Sequence, residues 1–151
     1  MTFKTIPEMF LNTSNNYSSN NLLYYKKNGD WMSLTGNDIQ ITVKDVSYAL
    51  RSLDVNPQEM AAIMSNNSPR WAMTDYGILC SGAVTVSIYP TLIPSQIEYI
   101  LIDSGSKIIF VENEELLNKV LSVKENCPDL KHIIVMNDRY EGDDENVYNF
   151  M

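Results

Sequence analysis

Four short apolar runs decide the fold of this chain: Met60-Ala-Ala-Ile-Met64, Val84-Thr-Val-Ser-Ile88, Lys107-Ile-Ile-Phe-Val111 and His132-Ile-Ile-Val-Met136. They begin about 24 residues apart and are rich in β-branched residues. Continuous apolar runs of this length are typical of strands that are buried on both faces of a parallel sheet. We therefore predict a strand at each run.

A helical pattern fills each gap between these runs. The patterns cover Pro69 to Ser81, Pro94 to Asp103, and Glu114 to Glu125. Strands that alternate with helices pair in parallel through right-handed crossovers. The segment 35–136 is therefore predicted to be α/β, with an open, mainly parallel, doubly wound sheet that carries helices on both faces.

Two smaller elements are predicted before the first apolar run. Within residues 22–34, β-rich runs flank Asn28-Gly29, which is a strong signal for a two-residue turn in a small antiparallel hairpin. Thr35 then caps a helix whose apolar residues recur every three or four positions. These residues are Ile39, Val43, Val46, Leu50 and Leu53.

Both ends of the chain are expected to be less regular. In residues 1–21 we predict a short helix from Thr5 to Leu11, followed by a surface loop from Asn12 to Asn21, because Asn and Ser side chains favour turns. Residues 137–151 are acidic around Asp143-Asp144-Glu145. This tail is predicted to hold neither helix nor strand, as in a chain cut off partway through an α/β unit.

Composition excludes several classes of protein. The chain has 151 residues, of which 44% are hydrophobic, enough for one domain with a core. Its 11 Lys and Arg against 19 Asp and Glu give a net charge of −8, which argues against nucleic-acid binding. No run approaches the roughly 18 apolar residues of a membrane span. We expect a cytoplasmic protein that is at most peripheral to a membrane.

Metal and nucleophile signals are weak. Cys80 and Cys127 lie far apart without metal-ligand spacing, and the single histidine, His132, opens an apolar strand, so no metal site is predicted. Asp75 and Glu98 are interpreted as carboxylates on solvated helix faces. No catalytic residue is therefore predicted from the residues alone.

Ligand candidates come from the rule that open α/β sheets bind at the carboxyl ends of their strands. Asn66 and Ser68 follow the first strand, and Tyr89 and Thr91 follow the second. Each residue also fits an ordinary helix cap or turn, so both interpretations stay open. No loop matches G-x-G-x-x-G, and Gly77 to Gly82 joins a helix to a strand, the wrong order for a phosphate loop.

The amino-acid sequence also resembles the sequences of a known family. The stretch Ala61–Leu92, continued by Ser95–Leu101 and Ser106–Glu112, resembles the N-terminal part of the long-chain fatty-acid CoA ligases of the AMP-forming adenylating superfamily. Trp31–Thr35 resembles the family's first core motif, and Leu79–Pro90 resembles its second. The resemblance covers nearly the whole chain.

This resemblance implies that residues 1–151 are the N-terminal portion of a large adenylating domain. The parent enzyme would join a fatty acid to CoA through acyl-AMP, using ATP and Mg²⁺, and would need the remainder of the same enzyme. The family's catalytic motifs find no match in this chain, so the chain alone is expected to be inactive and to bind no cofactor firmly. Ser87 and Arg70 stand where the family usually has Pro and Glu.

Two other functions are also compatible with the sequence. The chain could be a stand-alone, non-catalytic α/β module that binds a nucleotide or a partner at Ser65–Ser68 and Tyr89–Leu92. It could also be a piece of an acyl-AMP ligase, which passes the acid to a carrier protein. An uncovered sheet edge would further favour a homodimer.

Overall fold

The computed structural model describes residues 2–137 and 139–150. Along the chain the elements are α1 (Ile6–Asn16), β1 (Asn21–Lys27), β2 (Asp30–Thr35), α2 (Gly36–Ser52), β3 (Met60–Met64), α3 (Pro69–Ser81), β4 (Val84–Ile88), α4 (Pro94–Ser104), β5 (Ile108–Val111), α5 (Glu114–Leu121), a 3₁₀ turn (Lys124–Asn126), β6 (His132–Val135) and β7 (Val147–Asn149).

Five strands form one parallel sheet in the order β4-β3-β5-β6-β7. The chain runs from β3 outward to β4 and then crosses back to place β5 on the other side of β3. The point where the strand order reverses therefore lies between β3 and β5, which is where open α/β sheets form a ligand crevice. The predicted parallel sheet is confirmed.

Helices cover both faces of this sheet, as predicted. On one face, Ala61 and Ile63 of β3 pack in a buried cluster with Leu50 of α2 and Ile78 of α3. The alternate residues of β3 point the other way and join a second buried cluster under α4 and α5. That second cluster includes Ala62, Met64, Ile97, Leu101, Leu117 and Val120.

The hairpin and the helix after it also form where they were predicted. β1 and β2 are antiparallel, and Asn28 and Gly29 take positive φ values of 54° and 92°, as a tight two-residue turn requires. Thr35 and Asp38 form a reciprocal capping box at the start of α2. Thr35 is therefore both the last residue of β2 and the N-cap of α2.

The predicted loop from Asn12 to Asn21 is wrong over its first half, because α1 continues to Asn16. Ser14 is buried, and its hydroxyl donates to the Phe10 carbonyl at 2.8 Å while it accepts from the Gln40 amide at 2.9 Å. The Phe10 ring stacks on Tyr76 of α3 with a centroid distance of 4.4 Å. These tertiary contacts outweigh the turn preference of Asn and Ser.

Two further expectations need correction. The C-terminal tail does contain a strand, β7, which pairs with β6 from Ile133↔Val147 to Val135↔Asn149. The helix predicted to reach Glu125 ends at Leu121, where the Ser122 hydroxyl donates to the Lys119 carbonyl at 2.7 Å and a 3₁₀ turn follows. The acidic tail is thus attached to the sheet by backbone pairing.

Candidate functional site

An open groove lies at the carboxyl edge of the sheet, beside the ends of β3 and β4. It has a volume of about 600 Å³, which is within the usual range for small-molecule pockets. Its walls come from the loops that follow the two strands and from the first turn of α3. The lining residues are Ser65, Asn66, Asn67, Trp71, Ser87, Ile88, Tyr89 and Pro90.

The groove brings together two of the four ligand candidates. Asn66 and Tyr89 both line it, and Tyr89 is 76% exposed. Ser68 lines a neighbouring groove instead, and its hydroxyl accepts the Trp71 N–H at 3.1 Å as the N-cap of α3. Thr91 is exposed and stands outside the residues that line either groove. The cap interpretation of Ser68 is therefore confirmed.

A hydrogen-bonded link crosses the point where the strand order reverses. The Glu112 carboxylate, just after β5, accepts the backbone N–H and the side-chain amide of Asn66, each at 2.8 Å. The Glu112 carbonyl accepts the Asn137 N–H at 2.8 Å, so the loop after β6 is tied to the same residue. Glu112 thus holds three loops at the carboxyl edge.

The groove contains groups for binding, and among its lining residues no histidine, lysine or carboxylate stands beside the serine hydroxyls as a general base. Trp71 and Tyr89 offer aromatic surfaces for stacking, and Asn66, Asn67 and Ser87 offer amide and hydroxyl hydrogen bonds. No titratable acid, base or thiol other than the Tyr89 phenol lines it. Its lining therefore combines two aromatic surfaces with neutral hydrogen-bonding side chains.

The histidine lies at the opposite edge of the sheet. His132 opens β6, and its Nδ1 is buried without a hydrogen-bond partner among the described residues. Burial lowers the pKa of His132, as does the charge of Lys131, while a hydrogen bond with the Leu53 backbone raises it in part. The ring is therefore neutral at neutral pH and serves the packing at the amino ends of the strands.

The two thiols are poorly suited to nucleophilic attack. Burial raises the pKa of Cys80 in α3, and burial together with the nearby Glu98 charge raises the pKa of Cys127. Both cysteines are free. Because the thiolate is the reactive form, neither side chain is activated. In the described ranges 2–137 and 139–150, no group of three His, Cys, Asp or Glu side chains could hold a metal ion.

Comparison with known proteins places the chain in a family. The model of the family described as "AMP-binding enzyme" matches residues 11–149. The chain belongs to the AMP-binding enzyme family. This result agrees with the resemblance seen in the sequence.

Two proteins of similar sequence are named long-chain-fatty-acid CoA ligases. The long-chain-fatty-acid CoA ligase heimdall of Drosophila melanogaster is 28% identical over 142 residues, which cover 91% of this chain and 21% of that ligase. The long-chain-fatty-acid CoA ligase ACSBG1 of Homo sapiens is 24% identical over 144 residues, or 95% of this chain and 20% of that ligase. The chain thus spans about a fifth of the length of these relatives.

Two solved structures of other proteins share the fold. An anthranilate CoA ligase in complex with anthranoyl-AMP superposes with a TM-score of 0.78 at 26% identity, over 85% of this chain and 24% of that one. Acetoacetyl-CoA synthetase from Streptomyces lividans gives a TM-score of 0.82 over 95% of this chain and 24% of that one. At 14% identity, the second likeness concerns the fold alone.

Several lining residues of this AMP-binding family member were missed in the sequence. Trp71 lies in the first turn of α3, three residues after the N-cap Ser68. At this position it lines the groove at the carboxyl edge of the sheet. Ser87 lies on the edge strand β4 and is exposed. The carboxyl-edge rule, extended by one helical turn past each loop, would have included Trp71.

Among the helices of the described residues, none is long and apolar enough to cross a bilayer.

Proposed function

We propose that this chain is the N-terminal portion of the adenylating domain of a long-chain fatty-acid CoA ligase. The observation that carries the proposal is the match of residues 11–149 to the AMP-binding family, together with the likeness of nearly the whole chain to two long-chain fatty-acid ligases. The chain corresponds to about a fifth of those ligases, so the activity is assigned to a longer protein.

The proposed overall reaction has two steps. The fatty carboxylate displaces pyrophosphate from the α-phosphate of ATP and forms acyl-AMP. The thiol of CoA then displaces AMP and forms the thioester. The first step breaks one P–O bond at the α-phosphate and forms another. The second step breaks the acyl C–O bond of acyl-AMP and forms a C–S bond. Neither step needs an oxidant or a reductant.

The groove residues do not fit the triphosphate of ATP or its Mg²⁺ ion. A polyphosphate is stabilised by cationic side chains, by metal ions and by backbone N–H groups in a glycine-rich loop. None of the residues that line the groove has a charged side chain, and the nearby Glu112 carboxylate would repel a phosphate. We therefore assign no step of nucleotide chemistry to these residues.

The role proposed for this segment is to support the loops at the carboxyl edge and to shape one side of a cleft. Glu112 fixes the loops after β3, β5 and β6 relative to one another. This arrangement holds Trp71 and Tyr89 as walls of a cleft that the rest of the enzyme would complete. The predicted partner is accordingly the remainder of the same protein, and the substrate is a fatty acid.

We also propose a location and a mode of self-association. The free thiols Cys80 and Cys127 suit a reducing compartment such as the cytoplasm, with at most peripheral membrane contact. β4 is an edge strand, and Val84 at its start is 43% exposed, so pairing of two chains along this edge is proposed for the segment alone.

The experiment is to express the complete reading frame that contains this chain and to assay it with ATP, Mg²⁺, CoA and palmitate. We expect palmitoyl-CoA, AMP and pyrophosphate in equal amounts. Acyl-AMP that is trapped by hydroxylamine without any thioester would support the acyl-AMP ligase instead. Absence of both products would contradict the proposal. A reading frame that stops at Met151, with the chain binding AMP or palmitate, would support the stand-alone module.

A further inference from the structure

The tip of the hairpin between β1 and β2 consists of Asn28 and Gly29, and both residues are exposed. Asn28 is the only asparagine in the sequence that is followed by glycine. Among the described residues, neither the Asn28 side chain nor the Gly29 N–H has a hydrogen-bond partner. The side-chain amide and the backbone nitrogen of the next residue are therefore both open to solvent and to each other.

Gly29 leaves its backbone nitrogen unhindered. It has no side chain, and no atom lies within 4 Å of the place where a Cβ would stand. A five-membered ring between Asn28 and Gly29 does not fit the left-handed backbone of the tight turn, so the tip must open before the two groups react. Opening breaks only the Lys27–Asp30 end of the ladder, and exposed ends of this kind open at a low cost in free energy.

Asn146 offers a comparison within the same chain. Its φ of 62° is also in the left-handed region. However, its side-chain oxygen accepts the Tyr148 hydroxyl at 3.3 Å, and the N–H of the next residue, Val147, donates to the Asp144 carbonyl at 3.3 Å. The β-branched side chain of Val147 also crowds its own backbone nitrogen. The unbonded groups and the following glycine therefore distinguish Asn28, and the backbone conformation does not.

We propose that Asn28 is a site of spontaneous deamidation and isoaspartate formation, with water as the co-reactant. The Gly29 backbone nitrogen loses its proton to a base in the solvent and attacks the side-chain carbonyl carbon of Asn28. A C–N bond forms there, the bond to the amide nitrogen breaks, and that nitrogen takes up a proton and leaves as ammonia. Water then breaks either C–N bond of the cyclic imide, which yields aspartate or isoaspartate. Neither step needs an oxidant or a reductant.

The isoaspartate product changes the main chain of the hairpin. Its peptide bond runs through the side-chain carbonyl, so an extra methylene carbon enters the turn. The two-residue turn sets the register that places Lys27 opposite Asp30 and Lys26 opposite Trp31. A longer turn cannot close in that register, so the ladder should open from the tip. The inference does not rest on ligase activity, because the reaction needs only the hairpin and water.

The test is to incubate the 151-residue chain at about pH 7 and about pH 9 and to follow each asparagine by peptide mapping and mass spectrometry. Deamidation at Asn28 should be at least about tenfold faster than at Asn146, because Val147 shields its backbone nitrogen. The rate at Asn28 should rise with pH, because the attacking nitrogen must first lose its proton. Equal rates at the two asparagines, or deamidation of Asn28 only after unfolding in urea, would overturn the proposal.

Asn28→Gly is the matched control. Gly-Gly also favours a two-residue turn, so this variant keeps the hairpin and lacks the amide. The change in mass of the hairpin peptide should disappear, while the rate at Asn146 stays unchanged. An undiminished change in mass in this variant would contradict the assignment to Asn28.

Asn28→Asp separates the new charge from the longer main chain. This variant carries the carboxylate of the aspartate product, and Asp-Gly also favours the two-residue turn. Its β1 and β2 amides should exchange hydrogen at the rate of the parent chain. The same amides in the isoaspartate fraction of the incubated chain should exchange faster. Equal exchange in that fraction and in Asn28→Asp would contradict the predicted opening of the ladder.

Discussion

Glu112 and Asn66 are 46 residues apart in the chain, yet one carboxylate oxygen of Glu112 accepts both the backbone N–H and the side-chain amide of Asn66 at 2.8 Å. The contact joins the loops after β5 and β3, at the point where the strand order reverses. It therefore fixes the geometry of the carboxyl edge, where both grooves lie.

The first prediction concerns this contact. Glu112→Ala should lower the free energy of unfolding by about 1 kcal/mol, because a charge-assisted but partly exposed pair of hydrogen bonds is lost. Hydrogen exchange at the Asn66 amide should accelerate. Urea unfolding and exchange measurements check both effects. Glu125→Ala, at an exposed carboxylate in the 3₁₀ turn, is the control and should change stability by less than about 0.5 kcal/mol.

The second prediction concerns the contact between α2 and α3. A Cβ added at Gly77 would lie 2.5 Å from Val46 Cγ1 and 3.2 Å from the Val43 carbonyl oxygen. Gly77→Ala should therefore destabilise the protein by about 1–3 kcal/mol, despite the better helix propensity of Ala.

A double-mutant cycle tests the cause of that loss. Val46→Gly removes both side-chain atoms that crowd the new Cβ, Cγ1 at 2.5 Å and Cβ at 2.6 Å, so the double variant should be more stable than the sum of the two single losses predicts. Strict additivity of the two losses, or no loss in Gly77→Ala, would show that the helices are not packed this closely.

The third prediction concerns pH and the cap of α2. Hydrogen bonds from the Thr35 hydroxyl and backbone N–H lower the pKa of Asp38 below its usual 3.8. As the pH falls, the unfolded chain takes up this proton before the folded chain does. The stabilisation is therefore fully present above the usual pKa and is lost as the pH falls through the folded value.

Asp38→Asn should consequently reduce stability more at about pH 6 than at about pH 3. Urea unfolding at both pH values measures the difference. Asp103→Asn, at an exposed carboxylate in the last turn of α4, is the control and should leave the difference between the two pH values near that of the parent chain. An equal loss for Asp38→Asn at both pH values would contradict the capping role.

The fourth prediction uses the single histidine. Burial lowers the pKa of His132 below its usual 6.5, so the unfolded chain binds this proton more readily than the folded chain. Stability should fall as the pH drops below the usual value and level off below the folded pKa. His132→Phe should lose this slope while it keeps a ring beside Tyr148. Direct NMR titration of the imidazole that gives a pKa above 6.5 would contradict the burial of His132.

The regular part of the fold was predictable because local and tertiary preferences agree there. The run from Met60 to Met64 is apolar throughout and becomes the buried strand β3, and Ser68 with Pro69 begins α3 where the capping rule predicts. The Asn-Gly pair likewise sets the hairpin turn.

The remaining features depend on contacts between distant residues. Helix α1 extends through Asn12–Asn16 because Ser14 is buried against Gln40, a contact that propensity does not report. The strand β7 has three residues, of which Val147 alone is aliphatic, and it forms through backbone pairing with β6. The link between Asn66 and Glu112 likewise arises only when the sheet assembles.

The most direct test of the central claim is ATP–pyrophosphate exchange with palmitate, measured side by side on the 151-residue chain and on the product of its complete reading frame. We expect exchange by the complete product and none by the chain. Exchange by the chain alone would contradict the supporting role assigned to it, and a complete product that adenylates no fatty acid would contradict the ligase assignment.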